Sequence, residues 1–524
     1  MLAVSQEKDK IETPRAMPRS REHQIMSTPR RGPPAFFLAV SLLSLLAGCA
    51  TGPATSPQAT VMPTVTSFAG EGLAPSTVPA KWWRLYREPA LDALVEEALT
   101  NNRDLREAAA HLLEARAILR EVRGQRLPQT KTSADAGGGS TLEDQIGAAY
   151  DNSDHIRTGS RFGLGADVAW EADLFGRLAA SVKASRADAD VARAEADGVR
   201  VLVAAEVTRN WLGACGYSHR IFVARRSLTL LEQGREIAKH LRTAGAGLPV
   251  DVVRADTLVA QAQAAISPLE AARAEALAEL AVLTGRPPTK IPATAAACTH
   301  LPTITAPAPI GDGLDLLRRR PDVRAAERRL AGMTAQIGVA TADLYPRISL
   351  GANIASSSHT PGDLIARNNI IWRIGPLLSW SFPNISAARA RVAQARAREI
   401  GALARFDATI LTALKEVNQA GDEYEAALQR REALRVAADR SAEAMRLSRL
   451  GRAAGSATAL EALDAERADL GAQAALATAD SEIATAQVVL FKALGGGWED
   501  APMIMLPTPV RASSAAATAR PFHE

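Results

Sequence analysis

The chain repeats itself, and the repeat decides what it can fold into. The segments "DLREAAAHLLEARAILREVRGQRLP" (104–128) and "DVRAAERRLAGMTAQIGVATADLYP" (322–346) both run 24 residues from Asp to Pro, with six of the 25 aligned positions identical. Period-two stretches follow each copy and end at Phe175-Gly176 and at Phe382-Pro383. Proline-free helical runs come next. Each closes on a glycine turn, "GAGLPVDVVRAD" (245–256) or "GSATALEALDAE" (455–466). Phe175 lies 70 residues before Gly245, and Phe382 lies 73 before Gly455. Four landmarks in the same order are too many for chance. The unit is helix–strand–strand–long helix–turn–helix, present twice, and such a repeat predicts a pseudo-symmetric fold.

The helical runs set the scale. Pro89 starts a helical pattern that continues to about Arg126. From Arg177 to about Arg242 there is no proline, and Val203, Val207, Trp211 and Cys215 are spaced by four. One helix of about 65 residues is roughly 100 Å long, where a globular helix averages about a dozen residues. Such a length demands a coiled-coil or tubular architecture. Only 4% of the residues are aromatic and many apolar ones are Ala, which suits closely packed helices. Return helices are expected from Asp251 to Leu283 and up to Leu494. The net charge is only +4, and much of the basicity sits in the first 31 residues. A nucleic-acid footprint needs a clustered basic face, so that class is not expected.

The N-terminus reads as targeting. "AFFLAVSLLSLLA" (35–47) is uncharged and follows Arg30-Arg31. It is too short to span a bilayer but fits a signal-peptide core of about 7–15 residues. Met26 is the expected true start. Leu46-Ala47-Gly48-Cys49 resembles a bacterial lipobox, in which the cysteine takes a diacylglycerol thioether and, after cleavage, an acyl chain. Two or three chains give stable anchoring. Cys49 is thus the expected lipidation site, and covalent lipid the only expected non-protein group. Residues 49–80 read as an extended, lipidated tether. The mature chain then lies in the periplasm or outer membrane, an oxidising compartment. Cys215 and Cys298 remain; a disulfide between them and two buried free thiols both fit.

The strands point to the membrane. Phe162, Leu164, Ala166, Val168 and Trp170 alternate with small or polar residues; Ile348, Leu350, Ala352 and Ile354 alternate likewise, and Trp372, Ile374, Leu378, Trp380 and Phe382 mark another period-two stretch. Strands of about 10–12 residues cross a bilayer when tilted. A membrane sheet cannot keep open edges, and the smallest bacterial barrels have eight strands. Four strands per chain therefore predict oligomerisation, with three chains supplying twelve. A small soluble β-layer is the other reading.

The lipobox, "LLRRRPDVRAAERRLAGMTAQIGVATADLYPRISL" (316–350) and "GSATALEALDAER" (455–467) are together similar to the outer-membrane factors of tripartite efflux pumps, the TolC-like channels, with the lipidated NodT-like branch nearest. The resemblance covers about residues 81–496. It implies a mainly α protein with a transmembrane β-barrel: a trimeric 12-stranded barrel continued by a long α-helical periplasmic tunnel. It implies a passive exit duct for drugs or other toxic small molecules, working with a periplasmic adaptor and an RND-type inner-membrane pump. The expected divisions are a signal peptide 1–48, the tether 49–80, repeat one 81–288, a linker 289–317, repeat two 318–496 and a tail 497–524. The turns at 245–251 and 455–461 would form the periplasmic tip, with Gly245 and Gly455 supplying special backbone conformations. Asp251, Glu461 and Asp464 match the family's aperture acids, and threefold symmetry would make each a ring that favours cations. Solvated acids near a helix start are the plainer reading. Glu461 departs from the usual Asp, and Pro249 from the usual polar residue.

Other classes are weaker. No HExxH, GxSxG or P-loop occurs, the eight histidines are scattered, and no metal spacing such as CxxC is present, so neither an enzyme nor a metal site is expected. A periplasmic adaptor or scaffold lipoprotein would explain the anchor and the helices but not two pairs of strands. A channel for type I protein secretion would share the same fold.

Overall fold

The computed structural model describes residues 73–304, 306–311, 317–502 and 504. Cys49, the signal segment and most of the tether lie outside the described residues.

The body begins before the expected boundary at residue 81. β1 (Leu73–Ala74) pairs in parallel with β4 (Ala308–Pro309), so the end of the tether and the middle linker form one small ribbon. Trp82–Tyr86 is a short 3-10 helix whose Trp82, Trp83 and Tyr86 are buried. The helix expected over 89–126 is two: α1 (Pro89–Asn101) and α2 (Arg103–Gly124). Asn102 makes the break. Its side-chain oxygen accepts from the Leu105 N–H at 3.1 Å and its amide donates to the Leu283 carbonyl at 3.1 Å. An Asn that caps the next helix competes with continuation of the previous one.

β2 (Gln129–Gly139), α3 (Leu142–Tyr150) and β3 (Gly159–Ala172) follow. Then come α4 (Arg177–Thr243) and α5 (Pro249–Leu283), the long helix and its return. A four-residue helix, Ala293–Ala296, lies in the linker. The second repeat is α6 (Pro321–Ala342), β5 (Arg347–Ser358), β6 (Ile370–Ser379), α7 (Ile385–Ala453) and α8 (Ala459–Ala493). α4 has 67 residues and α7 has 69, in keeping with the proline-free runs. α4 packs on α2, α5, α6 and α8, and α7 packs on α6 and α8. Among the described residues no helix is long and apolar enough to cross a membrane.

The principal core forms where these helices meet near the chain's entry segment. Trp82 stacks on Phe491 with centroids 4.9 Å apart. The Tyr86 hydroxyl donates to Gln487 at 3.1 Å, and Gln487 donates to the Tyr424 hydroxyl at 3.2 Å. These polar atoms are buried, and each bond offsets a desolvation cost. Beyond the expected end of repeat two, Trp498 lies under the Arg324 guanidinium at 4.6 Å from its ring.

The four long strands form one antiparallel sheet in the order β2-β3-β5-β6. The register fixes its faces, because side chains alternate with period two. Leu164, Ala166, Val168 and Trp170 stand opposite Ser356, Ile354, Ala352 and Leu350. Ile354, Ala352, Leu350 and Ile348 in turn face Trp372, Ile374, Pro376 and Leu378. This face is apolar and open: Trp372 is 73% exposed and Leu378 69%. The opposite face carries Lys131, Asp167, Asn353 and Arg373 in one row across all four strands. Asn353 donates to Asp167 at 2.6 Å.

The two repeats share a detail at the sheet's helical end. The Trp170 indole donates to the Arg126 carbonyl at 3.0 Å, and the Trp380 indole donates to the Leu344 carbonyl at 3.2 Å. Arg126 and Leu344 occupy the same place, two residues before Pro128 and Pro346. Phe175 stacks on Tyr345 at 4.7 Å and Trp380 on Phe382 at 4.9 Å. Aromatic rings with one polar end suit a membrane–water boundary.

Candidate functional site

Two regions carry the features singled out in the sequence: the helix turns and the sheet. Both turns end their long helix in the same way. Gly245 has φ +77 and Gly455 has φ +75. The Ala246 N–H donates to the Leu241 carbonyl at 2.9 Å and the Gly245 N–H to Arg242 at 3.1 Å. In the second turn Ser456 donates to Gly451 at 2.8 Å and Gly455 to Arg452 at 3.1 Å. These are paired Schellman motifs, which satisfy the last carbonyls of each helix and need a left-handed residue. Pro249 is the first residue of α5, where a missing N–H costs nothing.

The three acids have different settings. Asp251 accepts from the Leu248 N–H at 3.2 Å and lies 3.9 Å from Arg254. Glu461 closes a capping box: it accepts from the Thr458 N–H at 2.7 Å and hydroxyl at 3.0 Å, while its own N–H donates to Thr458 at 3.2 Å. The Thr458 backbone bond, then its hydroxyl, holds the Glu461 carboxyl below the usual range. Asp464 and Asp251 line one cleft of about 240 Å³ between α4, α5 and α8, with Arg254 and Arg467 on the same walls. Glu461 is not among the cleft's residues. Asp251 and Asp464 are thus brought together, each with an arginine three positions on, while Glu461 is engaged by its own helix start. The arginines could have been found in the sequence, since opposite charges at i, i+3 share a helix face.

Arg449 on α7 is tied to Glu466 on α8 at 2.6 Å, so the hairpin carries its own crosslink close to the tip. Nearby, Asp469 is buried among Arg226, Arg449 and Glu466, and accepts from Gln473 at 2.7 Å. Burial pushes its carboxyl up. Sequence reading passed over Asp469, because nothing in its spacing sets it apart from the solvated acids around it.

Cys215 and Cys298 are joined, with Cα atoms 5.1 Å apart. The bond staples the linker to the middle of α4. Among the described residues no group of His, Cys, Asp and Glu is placed to hold a metal.

One chain thus combines an apolar open sheet face, a polar row behind it and twin hairpins on the helical side. The family described as outer membrane efflux protein matches residues 94–286 and 314–496. The chain belongs to that family. It is 30% identical to outer membrane protein OprJ of Pseudomonas aeruginosa over 471 residues, 89% of this chain and 97% of that one. It is 28% identical to nodulation protein T of Rhizobium leguminosarum bv. trifolii, across 87% of this chain and 96% of that one. Among solved structures it is similar to the outer-membrane channel OprN, with a TM-score of 0.76 and 34% identity, covering 86% of this chain and all of that one.

The two family segments fall on the two repeats. The fold is that of the outer-membrane efflux channels, with the sheet in the outer membrane and the helices on the periplasmic side. The apolar face read from Phe162 to Trp170 is therefore the lipid face, not part of a soluble β-layer. The adaptor or scaffold alternative gives way to the efflux protein family.

Proposed function

We propose that three copies of this chain close their sheets into one twelve-stranded barrel and that the assembly is the passive outer-membrane exit duct of a tripartite efflux pump. One observation carries the reading. The sheet presents a lipid face on 10- to 14-residue strands, yet β2 and β6 are its edges, and among the described residues no strand pairs with their outer sides. In a bilayer such edges must pair, and one chain cannot close a barrel alone. The helices continue the barrel as a tunnel. A periplasmic adaptor would dock on the hairpins and an RND-type pump would feed drugs or other toxic small molecules from below. The chain's task is passage, and the reading asks no catalysis of it.

Within that reading, Cys49 carries the lipid anchor, and no other cofactor is required. Asp464, Asp251 and Glu461 supply carboxylates at the periplasmic aperture. Asp464 is the strongest of the three, since Glu461 is held in its capping box and Asp251 shares its carboxylate with the start of α5 and with Arg254. The deciding experiment is the mass of the unheated, detergent-extracted protein by light scattering corrected for detergent. A particle of three chains supports the shared barrel, and a monomer overturns it. Acyl labelling of the protein, lost in Cys49→Ser, tests the anchor separately.

A further inference from the structure

At the end of the sheet away from the long helices, two loops meet on one histidine. The first joins β2 to β3 and contains α3; the second joins β5 to β6 and begins at His359. The His359 ring bridges them. Its Nδ1 lies 2.6 Å from the Ser160 carbonyl and its Nε2 lies 2.5 Å from Asp144 Oδ2. The backbone makes room: a Cβ at position 159 would stand 3.3 Å from Nδ1, and that residue is Gly159.

Both partners are acceptors. A carbonyl cannot donate. Asp144 is committed as a carboxylate, because the same Oδ2 accepts from the Thr141 N–H at 2.8 Å and the Thr141 hydroxyl at 2.7 Å in the capping box that starts α3. Two ring nitrogens facing two acceptors require two N–H groups, and only the imidazolium has both. In the neutral ring one nitrogen would set a lone pair against an oxygen at hydrogen-bond distance. We propose that His359 is a pH-sensitive latch that ties the two outer loops of each chain together when protonated and releases them when neutral.

The charges around the ring agree with this. Asp144 faces it from the first loop and favours the cation, while Arg157, on the approach to β3, opposes it. On the histidine's own loop, Asp363 is occupied by the Thr360 hydroxyl at 2.6 Å. The Ser160 carbonyl, then Asp144, holds the His359 ring above its ordinary value. A raised histidine contributes its link fully below the ordinary pKa of about 6.5 and loses it as pH rises through the folded value. The latch therefore holds in acid and opens as pH rises through that raised value, on the alkaline side of about 6.5.

Hydrogen exchange of the detergent-solubilised full chain tests it, with rates corrected for intrinsic pH dependence. Protection of residues 141–151 and 359–369 should fall together by about tenfold or more between pH 5.5 and 8.5, with one midpoint above about 6.5. His359→Gln keeps a polar side chain but cannot donate from both ends to two acceptors as a cation. It should show the low protection at both pH values while α4 to α8 exchange as in the wild type. Asp144→Asn should do the same but also weakens the cap of α3, so His359→Gln is the deciding variant. Protection that does not change with pH in the wild type overturns the latch, as does the same transition persisting in His359→Gln.

Discussion

At Gly245 and Gly455 a single backbone angle decides how the long helices turn. A Cβ at either position would have no heavy atom within 4 Å. Any cost of substitution is therefore conformational, not steric. Gly245→Ala or Gly455→Ala should destabilise by about 1–2 kcal/mol, the penalty of a left-handed L-residue. Asn, which tolerates that region better, should recover part of it. Thermal unfolding of the four single variants checks this, and equal costs at the two turns are expected because the two motifs share their bonds. Glu461 adds a pH dependence at the same tip. Its carboxyl is held below the usual range, so its contribution is fully present above about pH 4.3 and disappears as pH falls through the depressed folded value. Amide protection in the first turn of α8, corrected for the intrinsic pH dependence of exchange, should be flat from neutrality down to about pH 4.3 and fall only below it. Thr458→Ala deletes the hydroxyl but keeps the backbone bond, so it should lessen that acid dependence, and Glu461→Gln should abolish it.

Among the elements, the linker is held most directly. The Cys215–Cys298 bond closes a loop of 83 residues between the core of α4 and the segment after Ala293–Ala296. Cys298→Ser should cost about 2–4 kcal/mol, read as a drop in unfolding midpoint that reductant reproduces in the wild type and does not add to in the variant. The elements also show how far a sequence can be read. α4 and α7 were plain because proline-free runs with a spacing of four have no other stable form, and α5 was read from its glycine turn although it runs through Pro268. β3, β5 and β6 were plain because lipid on one side imposes strict alternation. β2 was not. Its lipid-face positions are Thr130, Thr132, Ala134 and Ala136, opposite Val168, Ala166, Leu164 and Phe162. Residues that small carry almost no period-two signal, and the repeat alone implied the strand. The break at Asn102 was hidden because a helix pattern resumes on its far side. Of the tip, the glycines and acids were readable from the turns, but the arginines beside Asp251 and Asp464 became meaningful only when three helices were seen to share a cleft.

For the whole molecule, the decisive property is that adjacent residues on one strand meet opposite solvents. Ile354 points to the apolar face between Ala166 and Trp372, and Asn353 to the polar face between Asp167 and Arg373. The same new charge should act differently at the two positions. Ile354→Arg places a guanidinium toward lipid and should cost about 2–4 kcal/mol near the bilayer centre. Less protein should then reach the outer membrane as a heat-resistant assembly, while the helical content of what is made stays unchanged. Asn353→Arg faces the water-filled side and displaces only the bond to Asp167, so assembly should persist. Because that row already holds Lys131 and Arg373 against one Asp167, a third cation should shift ion selectivity toward anions, measured as a reversal potential in planar bilayers. If the two variants assembled equally well, the sheet would not have one face in lipid. The shared barrel would lose its ground, since it is lipid on that face that forbids the free edges of β2 and β6.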